Sequence, residues 1–172
     1  MELTRQLLQY CLQAYEADSV DLGFHHYYIE SDNVVVISGT NSYSDWHLFN
    51  LKPFPLMPFH RSFQSIAGEL LNFYMPYTNE KTIFVGHSAG GCIAYIMAEF
   101  TGGTSVSFGS PLLVKKGHIS NEVASHTMYK LKYDPVSWVN NYTANNIEIV
   151  EVPGVGHGIK RYIKCMYKND IS

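Results

Sequence analysis

The chain alternates short apolar runs with stretches in which apolar residues recur every three or four positions. The second pattern occupies residues 3–16 and about 61–74 and is typical of an amphipathic helix that places one face on a core. Two β-rich runs, 24–29 and 34–37, flank the turn-forming residues 31–33 and predict a β-hairpin. The first part of the chain therefore predicts a helix, a hairpin and a second helix.

The second half of the chain has the pattern of a buried parallel sheet. A short β-rich run at 82–85 is followed at once by a glycine-rich segment and a helix. Three further apolar runs of strand length follow at 104–108, 127–132 and 147–152, and we expect them to be buried on both faces. Strands that alternate with helices indicate an α/β fold. No internal repeat or linker divides the chain, so we expect a single domain over residues 1–172.

Composition and charge exclude several classes of function. Apolar residues make up 46% of the chain and charged residues 16%, which describes an ordinary globular domain rather than a disordered one. The formal net charge is -3 and the basic residues form only short local groups, so nucleic-acid binding has no electrostatic basis. The three cysteines lack a Cys-x-x-Cys pairing and the eight histidines lack a His-Glu-x-x-His spacing. We therefore expect neither a disulfide framework nor a metal or other cofactor.

The first residues and the cysteines bear on location. Residues 1–6 lack both a basic start and a continuous apolar run, so we expect neither a signal peptide nor a membrane anchor. An odd number of cysteines without a pairing pattern fits a reducing compartment. Together these features predict a cytoplasmic protein. Four cations in segment 160–168 could contact an anionic lipid surface transiently, although a solvated helix face is the favoured interpretation.

A candidate nucleophile lies directly after the run at 82–85. Residues 86–90 match Gly-x-Ser-x-Gly with Ser88 at the centre, and the motif has the strand before it and the helix after it that it requires. A serine hydroxyl is a weak nucleophile, and a sharp strand-to-helix turn presents it clear of the sheet, beneath a helix N-terminus. The alternative is a glycine-rich turn needed only for tight packing. The flanking elements favour a nucleophile.

A serine nucleophile needs a base to take its proton and an acid to orient that base, and in this kind of fold they follow in the order serine, acid, histidine. Asp134 is the one aspartate after Ser88 that has a histidine after it, and that histidine is His157. Both follow predicted strands, so their loops should meet at the serine. Taken singly, Asp134 could be a turn residue and His157 a loop residue. The rival acids Glu148 and Glu151 fall inside a predicted strand and not on a loop that faces the histidine, so we expect them on the solvent side or at an edge.

Five segments in a fixed order add to this pattern. They are Gly39-Thr40-Asn41-Ser42 with Trp46 and Asn50-Leu51, then Phe59-His60-Arg61-Ser62-Phe63, then Gly86 to Gly91, then Ser107-Phe108-Gly109-Ser110-Pro111, then Asp134-Pro135-Val136, with His157 last. Together they resemble the motifs of the class 3 lipases, the fungal lipase-like family of α/β-hydrolases. The resemblance spans about residues 34–160. Departures are Ser38, where the family often has arginine, and Ser62, where it often has glycine; neither removes a catalytic atom.

The resemblance implies a compact α/β-hydrolase fold, with a mostly parallel central sheet between helices and little or no cap, since the chain is short for the family. It implies hydrolysis of a carboxyl ester of a lipid or lipid-like acid through an acyl-Ser88 intermediate. It also implies an oxyanion hole formed by Thr40 and by the backbone N–H of Ala89. The same residues fit a lipase, phospholipase, esterase, thioesterase or amidase, because all share one tetrahedral intermediate.

The segment from Tyr43 to Phe59 is rich in apolar residues, and its three prolines forbid a regular helix. Trp46, Phe49 and Leu51 in it are candidates for a lid or for the wall of an acyl pocket; an irregular loop packed on the core is the equal alternative. A different class of function is an interaction module that uses a hydrolase scaffold and binds a partner through this segment. Such a module should have lost at least one triad or oxyanion residue, and none is missing. The remaining histidines are interpreted as mostly surface or packing residues.

Overall fold

The computed structural model describes residues 2–16, 24–39, 61–111, 121–137 and 146–167 of the 172-residue chain. Within these residues a six-stranded, mostly parallel sheet is flanked by four α-helices, which is the α/β fold that the sequence predicts. The strands are β1 (His26–Ile29), β2 (Val34–Ile37), β3 (Ile83–His87), β4 (Thr104–Phe108), β5 (Ser125–Tyr133) and β6 (Ile147–Val155). The helices are α1 (Glu2–Ala14), α2 (Arg61–Tyr74), α3 (Ala89–Thr101) and α4 (Ile159–Met166).

The strands lie in the sheet in the same order as in the chain. β1 and β2 form the predicted antiparallel hairpin, in which Asn33 has a left-handed conformation with a φ of 54° that asparagine tolerates better than most residues. β2 to β6 run parallel, with Val85 of β3 opposite Val36 of β2 and Val106 of β4. The ends of the parallel strands therefore form two distinct rims, a carboxyl edge and an amino edge.

Helices cover both faces of the sheet. α2 and α3 share one core with Val35 and Ile37 of β2, whereas α1 and α4 share the other with Val34 and Val36. All four residues of β2 are buried, as expected for a strand covered on both faces. α3 is buried from Ala89 to Glu99. None of the helices described is long and apolar enough to span a membrane.

The last two strands are longer than predicted, and β6 differs from the predicted burial. Among the described strands, β6 pairs only with β5, which places it at the edge of the sheet. The side chains of Glu148, Ile149 and Glu151 are exposed, so the expectation that this strand is buried on both faces is wrong. Glu151 forms an ion pair with Lys130 of β5 at 3.3 Å. An edge strand has solvent on one side, and alternating Ile, Val and Glu residues suit that position.

Candidate active site

Ser88 lies on the turn between β3 and α3, at the carboxyl edge. Its φ of 57° and ψ of −132° fall outside the regions that residues other than glycine favour, a conformation that costs roughly 1–3 kcal/mol. Neighbouring glycines permit the turn, because a Cβ on Gly86 would collide with the backbone of Gly90, and one on Gly90 with the backbone at the end of β2. The Ser88 N–H donates to the Phe108 carbonyl oxygen at 2.9 Å. The serine is thus held in the strained geometry of a nucleophile elbow.

The structure brings the three residues predicted from the chain order together. His157 Nε2 lies 2.7 Å from Ser88 Oγ, and His157 Nδ1 lies 3.0 and 2.9 Å from Oδ1 and Oδ2 of Asp134. Asp134 follows β5 and His157 follows β6, so the loops after successive parallel strands meet at the serine. Because the carboxylate accepts the proton on Nδ1, Nε2 is left bare to accept the proton of the serine. This is the arrangement of a general base and its orienting acid.

Asp134 is fully buried, yet its charge is well supported. Tyr162 donates its hydroxyl to Oδ2 at 2.6 Å and the Val136 N–H donates to Oδ1 at 2.9 Å. Burial alone would raise the pKa of Asp134, but the hydrogen bonds and charge of His157, with the donors Tyr162 and Val136, hold that pKa below its ordinary value. Burial and the neighbouring carboxylate raise the pKa of Tyr162, which therefore stays a donor. The Asp134 carboxyl group is therefore ionised and accepts the hydrogen bond from His157 Nδ1.

The N-terminus of α3 points at the site. Ala89 is the first residue of the helix, and a first-turn N–H has no acceptor within its own helix. The partial positive charge of a helix N-terminus favours an anion beside it. Gly39 approaches the serine from β2, and a Cβ on it would lie 2.8 Å from Ser88 Cβ. A negatively charged oxygen next to Ser88 would therefore lie beside the first backbone N–H groups of α3.

Several predicted site residues lie outside the described residues. These are the oxyanion candidate Thr40, the segment from Tyr43 to Phe59 and its apolar side chains Trp46, Phe49 and Leu51. Their roles stay predictions. The cations Lys160, Arg161 and Lys164 of the predicted basic segment are exposed on α4, as expected for a solvated helix face.

Sequence reasoning missed two groups that contact the candidate triad. Tyr162 is one, and its only signal was its spacing of three from Ile159 on a short amphipathic helix, which marks both as buried without indicating a hydrogen bond. His87 is the other. It is buried, which fits the interpretation of the remaining histidines as surface or packing residues, but it also donates a hydrogen bond to the backbone carbonyl oxygen of His157 at 2.7 Å.

A second serine–histidine–acid group lies at the amino edge. Ser105 of β4 and His126 of β5 are opposite each other in the sheet, with Ser105 Oγ 2.7 Å from His126 Nδ1. His126 Nε2 lies 2.7 Å from Oε1 of Glu99, near the end of α3. Burial would raise the pKa of Glu99, but hydrogen bonds from His126, from the Asn121 N–H and from Asn146 lower it to about 2. All members of the Ser105, His126 and Glu99 group are buried, so His126 is one of the packing histidines and not a surface one.

Several solved lipase structures are similar to this chain at low sequence identity. A lipase from Rhizopus microsporus var. chinensis superimposes with a TM-score of 0.49 and 18% identity, over 68% of this chain and about half, 51%, of the lipase. A triacylglycerol lipase from Penicillium expansum superimposes with a TM-score of 0.47 and 14% identity, over 90% of this chain and 79% of that lipase. The Rhizomucor miehei lipase propeptide complex superimposes with a TM-score of 0.46 and 15% identity, over 81% of this chain and 63% of that chain.

No family model and no curated protein sequence matches the chain. At identities of 14–18% the likeness to these lipases is one of fold alone. Within the part of the chain that the structure describes, no group of three or more His, Cys, Asp or Glu side chains could hold a metal ion. The fold and the site together define an α/β protein with a Ser–His–Asp array at the carboxyl edge of its sheet.

Proposed function

We propose that this protein is a serine carboxyl-ester hydrolase of the lipase or esterase type. The observation that carries the proposal is the unbroken line of hydrogen bonds from Asp134 through His157 to Ser88, with links of 2.9 and 2.7 Å, built on a strained elbow. A packing motif has no need of a strained serine whose hydroxyl faces an oriented imidazole. Each of these features has a role in acyl transfer.

In the first half of the reaction, Ser88 Oγ attacks the ester carbonyl carbon while His157 Nε2 takes the hydroxyl proton. The tetrahedral intermediate then expels the alcohol, which receives that proton from His157, and an acyl-Ser88 ester remains. Water next attacks the acyl group with His157 again as base, and the acid leaves as Ser88 recovers its proton. Asp134 holds the reactive tautomer of His157 and stabilises its cation in both halves. The cycle needs no cofactor.

The oxyanion of the tetrahedral intermediate is assigned to the backbone N–H of Ala89 and to Thr40. Support for Ala89 comes from its place as the first residue of α3, directly after the nucleophile. Support for Thr40 comes from the resemblance of its segment to the lipase motif and from Gly39, the preceding residue, which passes close to Ser88. Loss of one such donor typically costs about 2.7–4 kcal/mol of transition-state stabilisation.

The proposed substrate is an ester of a lipid or lipid-like acid. The segment from Tyr43 to Phe59 is assigned to the acyl site because it is apolar and follows the oxyanion residue in sequence. Burial of each methylene of an acyl chain is worth about 0.8 kcal/mol. Simultaneous replacement of Trp46, Phe49 and Leu51 by serine should therefore lower the ratio of octanoate to acetate ester turnover. An unchanged ratio with a collapsed melting temperature would show that the segment is core instead.

The serine assignment is tested with a fluorophosphonate probe and a series of p-nitrophenyl esters. The wild type should be labelled and should hydrolyse the esters, while Ser88→Ala should lose both activities by at least roughly 10⁴-fold. Ser105→Ala is the matched control, because it removes a hydroxyl with the same partner types from the other edge of the sheet, and it should keep wild-type activity. A labelled Ser88→Ala would overturn the assignment. A folded but unlabelled wild type would indicate the alternative, a binding module on a hydrolase scaffold.

A further inference from the structure

A line of hydrogen bonds runs beneath the elbow and connects its two sides. The Gly39 N–H donates to the hydroxyl of Tyr15 at 2.9 Å, and that hydroxyl lies 2.6 Å from His87 Nδ1. On its other side, His87 Nε2 lies 2.7 Å from the carbonyl oxygen of His157. Gly39 directly precedes the oxyanion residue assigned above. The line therefore starts on the oxyanion side and ends on the backbone of the base.

Each bond in this line has one possible direction. A carbonyl oxygen only accepts, so His87 Nε2 carries the proton and donates it to His157. Burial and repulsion from the ring of His157 lower the pKa of His87 to about 3, so its Nδ1 is bare and accepts from Tyr15. Burial raises the pKa of Tyr15, which keeps its hydroxyl proton to donate. The lone pairs of that hydroxyl then accept from the Gly39 N–H. Every member has its partner.

The ring of His87 also supports the ring of His157. The two imidazoles stack with centroids 4.8 Å apart and an angle of 29° between their planes. Tyr15 meets the ring of His87 edge to face at 5.7 Å. A Cβ on Gly39 would collide with the Tyr15 hydroxyl, so a glycine is required for this approach. His157 is thus held by Asp134 at Nδ1 and by His87 at its face and at its backbone.

We propose that Tyr15 and His87 are positioning residues that fix the oxyanion segment at Gly39 and the base His157 at a set separation around Ser88. Neither residue touches the reacting atoms; they act through Gly39 and His157. The proposal rests on the proposed esterase function. A displacement of about 1 Å of a catalytic group can cost on the order of 100-fold in rate. A line with both ends on such groups is therefore expected to affect turnover more than substrate binding.

The test is Tyr15→Phe, which keeps the ring and removes the hydroxyl at the centre of the line. We expect kcat for ester hydrolysis and the rate of fluorophosphonate labelling to fall about 10- to 100-fold with little change in KM. The matched control is Tyr27→Phe, which removes another tyrosine hydroxyl that bonds the Tyr10 carbonyl oxygen at 2.7 Å, away from the elbow. The control should lose similar stability and keep its kcat.

A second variant and a second measurement keep the proposal falsifiable. His87→Gln keeps an amide donor for His157 but has no acceptor at the position of Nδ1 and no stacked ring, so its kcat should also fall. In ¹⁵N-histidine NMR spectra, His87 should be one tautomer with the proton on Nε2, and Tyr15→Phe should keep that tautomer while shifting the Nδ1 resonance, because Nδ1 loses its donor. If the wild type is active and both variants keep its kcat, the positioning role is wrong while the esterase stands. If the folded wild type neither hydrolyses esters nor takes the probe, both proposals fail.

Discussion

The sheet carries a hydrogen-bonded serine–histidine–acid line at each edge. The two lines have similar hydrogen-bond lengths but differ in exposure, backbone geometry and ring orientation. At the carboxyl edge, His157 lies 2.7 Å from Ser88 and 2.9 Å from Asp134; at the amino edge, His126 lies 2.7 Å from both Ser105 and Glu99. Hydrogen-bond lengths alone would therefore nominate two active sites.

Three differences separate the two lines. The side chain of His157 is 25% exposed and that of His126 only 2%, so water and substrate reach only the first. Ser88 lies on a strained turn at a helix N-terminus, whereas Ser105 lies inside a regular strand. His126 also presents Nδ1 to its serine, the reverse of His157. Access, backbone geometry and the ring nitrogen presented to the serine therefore separate the line proposed as catalytic from the buried one.

The largest expected contrast comes from exchanging each acid for its amide. Asp134→Asn should lower kcat about 10⁴-fold, because the amide favours the wrong tautomer of His157. Glu99→Gln should keep the kcat of the folded enzyme and instead lower the free energy of unfolding by about 1–3 kcal/mol, since its buried partners lose a charged acceptor. Ester kinetics combined with urea unfolding measure both effects. A kcat loss in Glu99→Gln would erase the distinction between the edges.

The acid dependence of stability should also separate the edges. The pKa of His87 falls from 6.5 to about 3 on folding, so below pH 6.5 the unfolded chain binds a proton that the folded chain refuses. Stability contributed by neutral His87 is lost as the pH falls from 6.5 towards 3, at about 1.4 kcal/mol per pH unit. The pKa of Glu99 falls from 4.5 to about 2, so its contribution is present above pH 4.5 and is lost only below it.

Urea unfolding from pH 7 to pH 3 measures this difference. His87→Gln should flatten the loss of stability between pH 6.5 and 4.5, where Glu99→Gln should leave the slope of the wild type. A wild-type stability that is flat over that interval would show that His87 takes up its proton in the folded protein, and would contradict its place in the hydrogen-bonded line.

The smallest expected effects are changes in the free energy of unfolding when each serine is replaced, and they should have opposite signs at the two edges. Ser88→Gly relieves a positive φ and should raise the free energy of unfolding by about 1 kcal/mol, after allowance for the greater freedom of glycine in the unfolded chain. Ser105→Ala relieves no strain and removes a hydrogen bond to His126, so it should lower that free energy by about 1 kcal/mol. Thermal unfolding of the two variants measures both changes in stability. A destabilised Ser88→Gly would mean that the elbow stores no strain.

Local patterns in the sequence predict some parts of this molecule well. β3 and the elbow were predictable because a buried strand, a motif of fixed spacing and a helix follow one another without a gap. Asp134 and His157 followed from chain order, since so few residues of those types come after Ser88. β6 was predicted too short and too buried, although the alternation of Glu148 and Glu151 with apolar residues is a local sign of a solvent-facing or edge strand.

Other parts depend on contacts between distant segments, and no local pattern encodes them. Tyr15 meets His87 across 72 positions, and Glu99 meets His126 across 27. A tyrosine at the end of an amphipathic helix reads as an ordinary packing residue. Ser105 and His126 become partners only through the register of β4 against β5. The sequence separation of such polar contacts is set by the tertiary fold and not by the period of a helix or strand.

Helix α3 spans from one edge to the other, with Ala89 at the elbow and Glu99 in the buried line at the amino edge. Since this whole stretch is buried, its amide hydrogens should exchange with solvent only when the domain opens as a unit. The elbow then cannot relax by local unfolding of α3 alone, so its backbone strain is maintained by the cooperative stability of the whole domain. Glu99 therefore contributes to the stability of the helix that begins at the elbow, although it lies at the opposite edge of the sheet.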